Sequence, residues 1–316
     1  MTDPTRRQFL VRTAAGLAAL HGNILNATNV FAGENPAPMA IARWSGNPAG
    51  MTNDRIDEAA GKLARRAVEA AGGMKRFVKP GETVWVKPNI CWDRTPEQAA
   101  NTNPRVVAEI VGMCLEAGAK TVKVGDHTAS PAQRTYVTSG IGPAVEKAGG
   151  KLVYVDASRF KTMAINGASL KEIPIYPEIL ECDAIINVAI LKDHCDSKLT
   201  MCMKNLMGIV NNRQRFHQDI PGCLADIGLF MRPRIRLHVL DGVRILKAHG
   251  PTGGKLEDVV VKMALAAGTD SVAIDAWGAE LAGFKPADIG SIVKGQERGL
   301  GKMDYRSLAP KEVAVS

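Results

Sequence analysis

The 316-residue chain is poor in aromatic side chains, at 5% of its residues, and so offers no ring-lined platform on which bases or sugars could stack. It also lacks any long run of one charge. Its net +8 comes from basic residues scattered among acidic ones, a pattern that attracts small anions without marking a nucleic-acid surface. No apolar stretch approaches the roughly 18 residues a membrane-spanning helix needs, so no span is expected once a leader is removed. The six cysteines form neither a C-x-x-C pair nor a ferredoxin-type run, which excludes a locally encoded cluster motif. A phosphate loop is missing too: "HGPTGGK" is one residue short between Gly250 and Gly254, and Leu256 stands where Ser or Thr is required. Its glycines are expected to make a tight turn.

What is present begins with an address. "TRRQFLVRTAAGLAAL" sets Arg6 and Arg7 ahead of Phe9, Leu10 and a weakly apolar run, and Val30 and Ala32 supply small residues for cleavage. The segment resembles a twin-arginine export signal. The expected organisation is a signal over 1–32, a linker over 33–50, an α/β domain over 51–300 and a C-terminal tail over 301–316. That route implies a periplasmic or otherwise extracytoplasmic protein, with the twin-arginine translocase as a partner in transit. Its cargo crosses already folded, often with a cofactor in place. The mature chain remains basic, and the full sequence's hydrophobic fraction of 46% suits a soluble protein with one large core.

Helix and strand signals then alternate. "NDRIDEAAGKLARRAVEAAGG" has Asn53 as a candidate N-cap and Gly72-Gly73 as a stop. "ETVWVKPNI" reads as a buried strand, and "TNPRVVAEIVGMCLEAGA" as a helix capped by Asn103 with Pro104 first. "KTVKVGD", "KLVYVD", "ECDAIINVAIL" and "IRLHVLDG" read as further strands, with a strand and a helix in "VVKMALAAGTDSVAIDAWGAELAG". The spacing predicts right-handed crossovers and a doubly wound, mostly parallel sheet with helices on both faces.

Ligands of such sheets bind beyond the carboxyl ends of the strands. Here those ends carry Lys87 and Asn89, Asp126 and His127, Asp156, Lys192, Asp193 and His194, and Asp241. Lysines and carboxylates sharing one rim point to a small anionic ligand. In "LKDHCDSKLTMCMKNLMG" the apolar spacing of Leu199, Cys202 or Met203, and Leu206 predicts a helix from about Asp196 to Met207, with Lys204 and Asn205 off its stripe. "NNRQRFH" adds Arg213, Arg215 and His217 in a loop, and Asp275 reads as a helix N-cap or as a partner for a metal or a lysine.

The cysteines leave a metal open. Cys195 and Cys202 on one helix would lie about 10 Å apart at about 1.5 Å per residue, too far for one ion. They could share a metal if Cys195 precedes the helix, with Cys91 as a third ligand. Two cysteines from each subunit of a homodimer could equally hold a bridging iron–sulfur cluster. Cys114 and Cys182 read as small core hydrophobes.

Taken in order, "WVKPNI", "IINVAILKDHCDSKLTMCMKNLMGIVNNRQRFH", "VLDGVRILKAHGPTGG" and "GTDSVAIDAWGAELAG" resemble the family called domain of unknown function 362. The resemblance spans about residues 82 to 300. It implies an α/β fold and, because some relatives carry a ferredoxin module, a link with iron–sulfur proteins. It implies a core motif of Lys87, Asn89, Lys192, His194, Lys204, Asn205, His217, Asp241, Gly250 and Asp275, and names no reaction. Two functions follow. One is an anionic-ligand or cofactor site, and an enzyme if Lys192, His194, Lys204 and Asp241 act on what Lys87, Asn89, Asn205, His217, Gly250 and Asp275 hold, with Asp126 or Asp241 as base or metal ligand. The other is an iron–sulfur or divalent-metal electron-transfer protein using Cys195, Cys202 and Cys91.

Overall fold

A computed structural model describes residues 37–316; the export signal expected over 1–32 lies outside them. The elements are β1 (Met39–Trp44), α1 (Asn53–Ala70), β2 (Thr83–Pro88), α2 (Pro104–Glu116), β3 (Thr121–Val124), α3 (Ala132–Thr138), α4 (Ile141–Lys147), β4 (Lys151–Leu152), β5 (Lys161–Ala164), β6 (Glu172–Ile175) and α5 (Pro177–Leu180). There follow β7 (Ala184–His194), β8 (Lys198–Thr200), α6 (Cys202–Asn205), α7 (Ile220–Met231), β9 (Ile235–Leu246), β10 (Val259–Gly268), α8 (Ser271–Leu281), α9 (Gly290–Glu297) and β11 (Lys311–Val315).

Capping chemistry sets the helix starts. Asn103 caps α2 with Pro104 in first place, as the sequence suggests. Thr52, not Asn53, caps α1, its hydroxyl accepting from the Arg55 N–H. The main sheet runs β11-β1-β10-β9-β7-β2-β3-β4, with β8 hairpinned onto β7. Pairing is parallel from β9 through β7, β2 and β3 to β4, and again between β1 and β11. It is antiparallel where β10 joins β9 and β1 and where β8 folds back on β7. This is the mostly parallel α/β sheet the sequence predicts. Strands β5 and β6 form a separate ribbon.

Both faces are covered. One holds α1, α2 and α4 through Leu63, Ile110, Val145 and their neighbours; the other holds α6 to α9 through Met203, Leu224, Trp277 and Ile292. β7 lies at the centre, its first nine residues buried, as expected of a strand covered on both sides. Two boundaries differ from expectation. The segment expected as a linker over 33–50 supplies β1, and the tail expected over 301–316 supplies β11, which pairs with β1 from Ala40–Lys311 to Trp44–Val315. Both are short strands, β11 at the sheet's edge and β1 next to it, whose partners lie more than 200 residues away, so no local pattern announces them. Among the described residues, no helix is long and apolar enough to cross a membrane.

Candidate functional site

The chain leaves β2 toward β3 and β4 on one side, and leaves β7 toward β9 on the other. The winding therefore reverses between β2 and β7, and a crevice opens beyond their carboxyl ends, where open α/β sheets bind ligands. The crevice is a cavity of about 200 Å³ whose lining includes Asn89, Cys91, Asp126, His127, Lys192 and His194 from the strand ends, and Lys204, Arg213 and His217 from the following segment.

Behind it lies a buried polar network. Lys87, at 1% exposure, pairs with Asp126 Oδ1 at 2.8 Å and donates to the Pro88 carbonyl and to Asn205 Oδ1. Asn205 Oδ1 also accepts from Asn89 Nδ2 at 3.1 Å, while its own amide group donates to the Lys87 carbonyl and to Asn187 Oδ1. Asn187 in turn donates to the Cys202 carbonyl and to His238 Nδ1 at 3.0 Å. Asn89 Oδ1 receives Lys192 Nζ at 3.1 Å, and the Ala100 carbonyl receives it too. Asp126 Oδ2 further accepts the Ile90 N–H at 2.8 Å. A network satisfied at this many points locks its members' rotamers.

The three lysines differ in their compensation. Lys87 has a carboxylate; burial pushes its ammonium down and Asp126 pushes it back up. Lys192 has only neutral acceptors, and burial pushes it down to about 8. Lys204 donates to Met207 Sδ at 2.9 Å, and burial likewise pushes it down to about 8. Arg213 adds a further cation, donating to the Met207 and His127 carbonyls. Burial, with Lys204 as the next cause, pushes His194 down to about 3, so its imidazole is neutral near pH 7 and offers a ring nitrogen as a hydrogen-bond acceptor or ligand. The cavity therefore concentrates positive charge with few carboxylates to offset it.

The expected site residues divide between rim and frame. Lys192, His194, Lys204, Asn89, Asn205, His217 and Cys91 line the cavity, and Lys87 stands directly behind Asp126. Asp241 does not reach it: buried, with its carboxyl pushed up to about 6 by burial, it accepts the N–H groups of Asn103 and Val243 and so ties α2 to β9. Gly250 shapes the rim, its N–H donating to Asp193 Oδ2 at 2.7 Å, while Pro251 after it lines the cavity. Asp156 is exposed and caps a short turn, and Arg215 is outside the lining.

Three local expectations give way. The helix expected from Asp196 to Met207 is instead the β7–β8 hairpin followed by the single turn of α6. Lys198 in the left-handed region turns that hairpin, and its pairing outweighs the apolar spacing. Asp275 is not the N-cap of α8, a role Asp270 takes. It sits in mid-helix, its carboxyl pushed up to about 7 by burial, and accepts the Cys202 and Met203 N–H groups at 2.7 and 3.0 Å, capping α6 from outside. Cys202 is fully buried in the core and its thiol is pushed well up by burial, whereas Cys195 is exposed. Nothing among the described residues gathers the two, and the side chains there that do lie at metal-ligand spacing are His194, Cys195 and Asp196. Cys114 and Cys182 are buried.

The family described as domain of unknown function (DUF362) matches residues 84–280, over half of the chain, including all of β7 and all but the first residue of β2. The chain belongs to this DUF362 family. A curated relative, the thylakoid-associated protein sll1697 of Synechocystis sp., is 28% identical over 263 residues, 79% of this chain and 80% of the relative. Among solved structures, the lactate racemase apoprotein of Thermoanaerobacterium thermosaccharolyticum is similar at a TM-score of 0.47 and 13% identity, over 76% of this chain and 56% of that one. A Thermotoga maritima protein is similar at 0.42 and 12% identity, over 80% and 60%. The chain spans less than two thirds of either solved protein.

Within the DUF362 region, sequence reasoning passed over Asn187 and His238, which carry the network across from β7 to β9. A signal for both was present: each is a polar residue inside an otherwise apolar strand, "AIINVAIL" and "IRLHVL", and a buried polar group has to have a partner. Thr200 and Trp92 were also missed; both line the cavity, and Thr200 Oγ1 is buried without a hydrogen-bond partner.

Proposed function

We propose that the crevice between β2 and β7 binds a small phosphorylated or carboxylated ligand, with Lys192, Lys204 and Arg213 as its cationic contacts and Asn89 and His194 beside them. The observation that carries this reading is the surplus of buried positive charge. Lys87 spends its charge on Asp126, while buried Lys192 and half-buried Lys204 have no carboxylate within bonding distance among the described residues. Cations held out of water without a counter-ion cost several kcal/mol, and an anionic ligand removes that cost. The neutral amine of Lys204, within reach near pH 8, adds a base or nucleophile to the same cavity, which makes an enzyme the fuller form of the reading.

The test is thermal stabilisation by inorganic phosphate, small phosphate monoesters and dicarboxylates. Charge-assisted hydrogen bonds contribute about 1.5–3 kcal/mol each, so Lys192→Met or Lys204→Ala should weaken binding by about tenfold to a hundredfold. Equal stabilisation of the wild-type chain and both variants would refute the site. We further propose that the chain is exported by the twin-arginine route, on the strength of Arg6-Arg7 and the run after it. Replacing both with lysine should leave the protein in the cytoplasm; fractionation showing undiminished export would reject the route.

A further inference from the structure

The β7–β8 turn brings a second kind of chemistry to the cavity mouth. One ligand atom each from His194, Cys195 and Asp196 lie within 4.8 Å of one another. The Cys195 Sγ stands 4.0 Å from His194 Nδ1, which stands 4.0 Å from Asp196 Oδ2. From the segment before α7, His217 Nδ1 also reaches to 4.0 Å of Asp196 Oδ2. His194, Asp196 and His217 line the cavity.

These separations can be compared with a tetrahedral ion. Zinc–nitrogen, –oxygen and –sulfur distances of about 2.0–2.3 Å put neighbouring ligand atoms roughly 3.3–3.8 Å apart. His194, Cys195 and Asp196 thus stand within about 1–1.5 Å of that arrangement before any ion is present, and His217 stands 4.0 Å from one of them, Asp196. The donor set of two imidazoles, a thiolate and a carboxylate suits zinc, cobalt or nickel and suits magnesium or calcium poorly. Its thiolate and carboxylate supply two negative charges against the nearby Lys204 and Arg213.

We propose that His194, Cys195, Asp196 and His217 form a divalent transition-metal site at the mouth of the crevice. Binding replaces the 3.2 Å hydrogen bond by which the Asp196 N–H now donates to His194 Nδ1, and releases the thiol proton of Cys195 to solvent. The ligands Cys195 and Asp196 are exposed, so the ion enters without opening the core. This inference rests on the anion-site reading in one respect: an anion held by Lys192 and Lys204 would lie beside the ion and could take up a free coordination position. It differs from a site built on Cys195 and Cys202, because Cys202 is sealed in the core.

The experiment is titration of the full, tag-free chain, purified with chelator and reductant, with Co²⁺ alone. One equivalent per chain is expected, with the visible bands of a tetrahedral ion and a thiolate charge-transfer band. Cys195→Ser should abolish the charge-transfer band and weaken Co²⁺ binding tenfold or more. His217→Ala should weaken binding to a similar degree while keeping that band. No stoichiometric binding, affinity unchanged in both variants, or a charge-transfer band that survives Cys195→Ser and disappears in Cys91→Ser would overturn the site. Phosphate stabilisation measured on the chelated protein separates the two readings. Stabilisation without Co²⁺ binding removes the metal alone, and Co²⁺ binding without stabilisation removes the anion alone.

Discussion

At the scale of single residues, Lys204 is where burial turns into chemistry. Its half-buried ammonium has given up water and gained no carboxylate among the described residues, so the neutral form competes at about pH 8 instead of the roughly 10.4 of a free lysine. The sign is fixed by the anion it is to hold. Below about pH 8 the amine is protonated and attracts the ligand; above it the charge is lost, while a bound anion, favouring the charged form, moves that midpoint upward. Phosphate affinity should therefore fall as pH rises from 7 to 9, and Lys204 should react with an amine-modifying reagent with a midpoint near 8 in the free protein. Pulse labelling followed by peptide mass spectrometry across that range reads both, with and without phosphate. A midpoint at the ordinary lysine value would mean that water reaches the amine and that the cavity is far more open than its packing implies.

At the scale of elements, the site depends on how closely the turn after α6 approaches the end of β2. Gly208 lies where an added Cβ would overlap Asp126 Oδ1 and sit 2.5 Å from Lys87 Nζ. Gly208→Ala should prise the Lys87–Asp126 pair apart. Separating a buried ion pair costs about 3–5 kcal/mol, so denaturant unfolding should show a loss of that order together with loss of phosphate stabilisation. A variant as stable as the parent would show that the pair relaxes without penalty. This approach also marks the limit of what the sequence could reveal. The strands β2, β7 and β9 were legible because apolar runs of their length are buried on both sides, β3 because its valines alternate with half-buried residues, and the polar residues just past them were legible as a rim. The segment from Asp196 to Met207 was misread, because an apolar spacing of three and four residues fits a hairpin followed by one helical turn as well as it fits a helix. What decides between them is pairing of Lys192 with Thr200 and His194 with Lys198 and the capping of α6 by Asp275, 73 residues away. Asn187 and His238 escaped for a related reason: attention to strand ends overlooks a polar side chain at a strand's centre, although its burial makes it part of the site's frame.

At the scale of the whole molecule, the sheet is closed at one edge by the chain's last strand. β11 pairs in parallel with β1 and leaves Val315 largely buried over α1, and the Ser45 N–H and hydroxyl both donate to the Val315 carbonyl. Parallel strands want cover on both faces and both edges. Removing residues 309–316 would bare the backbone groups of β1 along Ala40–Trp44 and uncover the apolar side of α1. The crevice lies on the far side of β10, β9 and β7 from this edge, so the two should separate in experiment. The truncated chain should unfold at lower denaturant and self-associate in a concentration-dependent way by light scattering. At temperatures well below its transition, its phosphate affinity should match the parent's within about a factor of two, since sites this far apart are usually independent to about 0.3–0.5 kcal/mol. Loss of affinity in a truncated chain that remains folded would mean that edge pairing is transmitted across the sheet to the ends of β2 and β7, and the crevice could no longer be treated as a rigid product of those two strands and the network behind them.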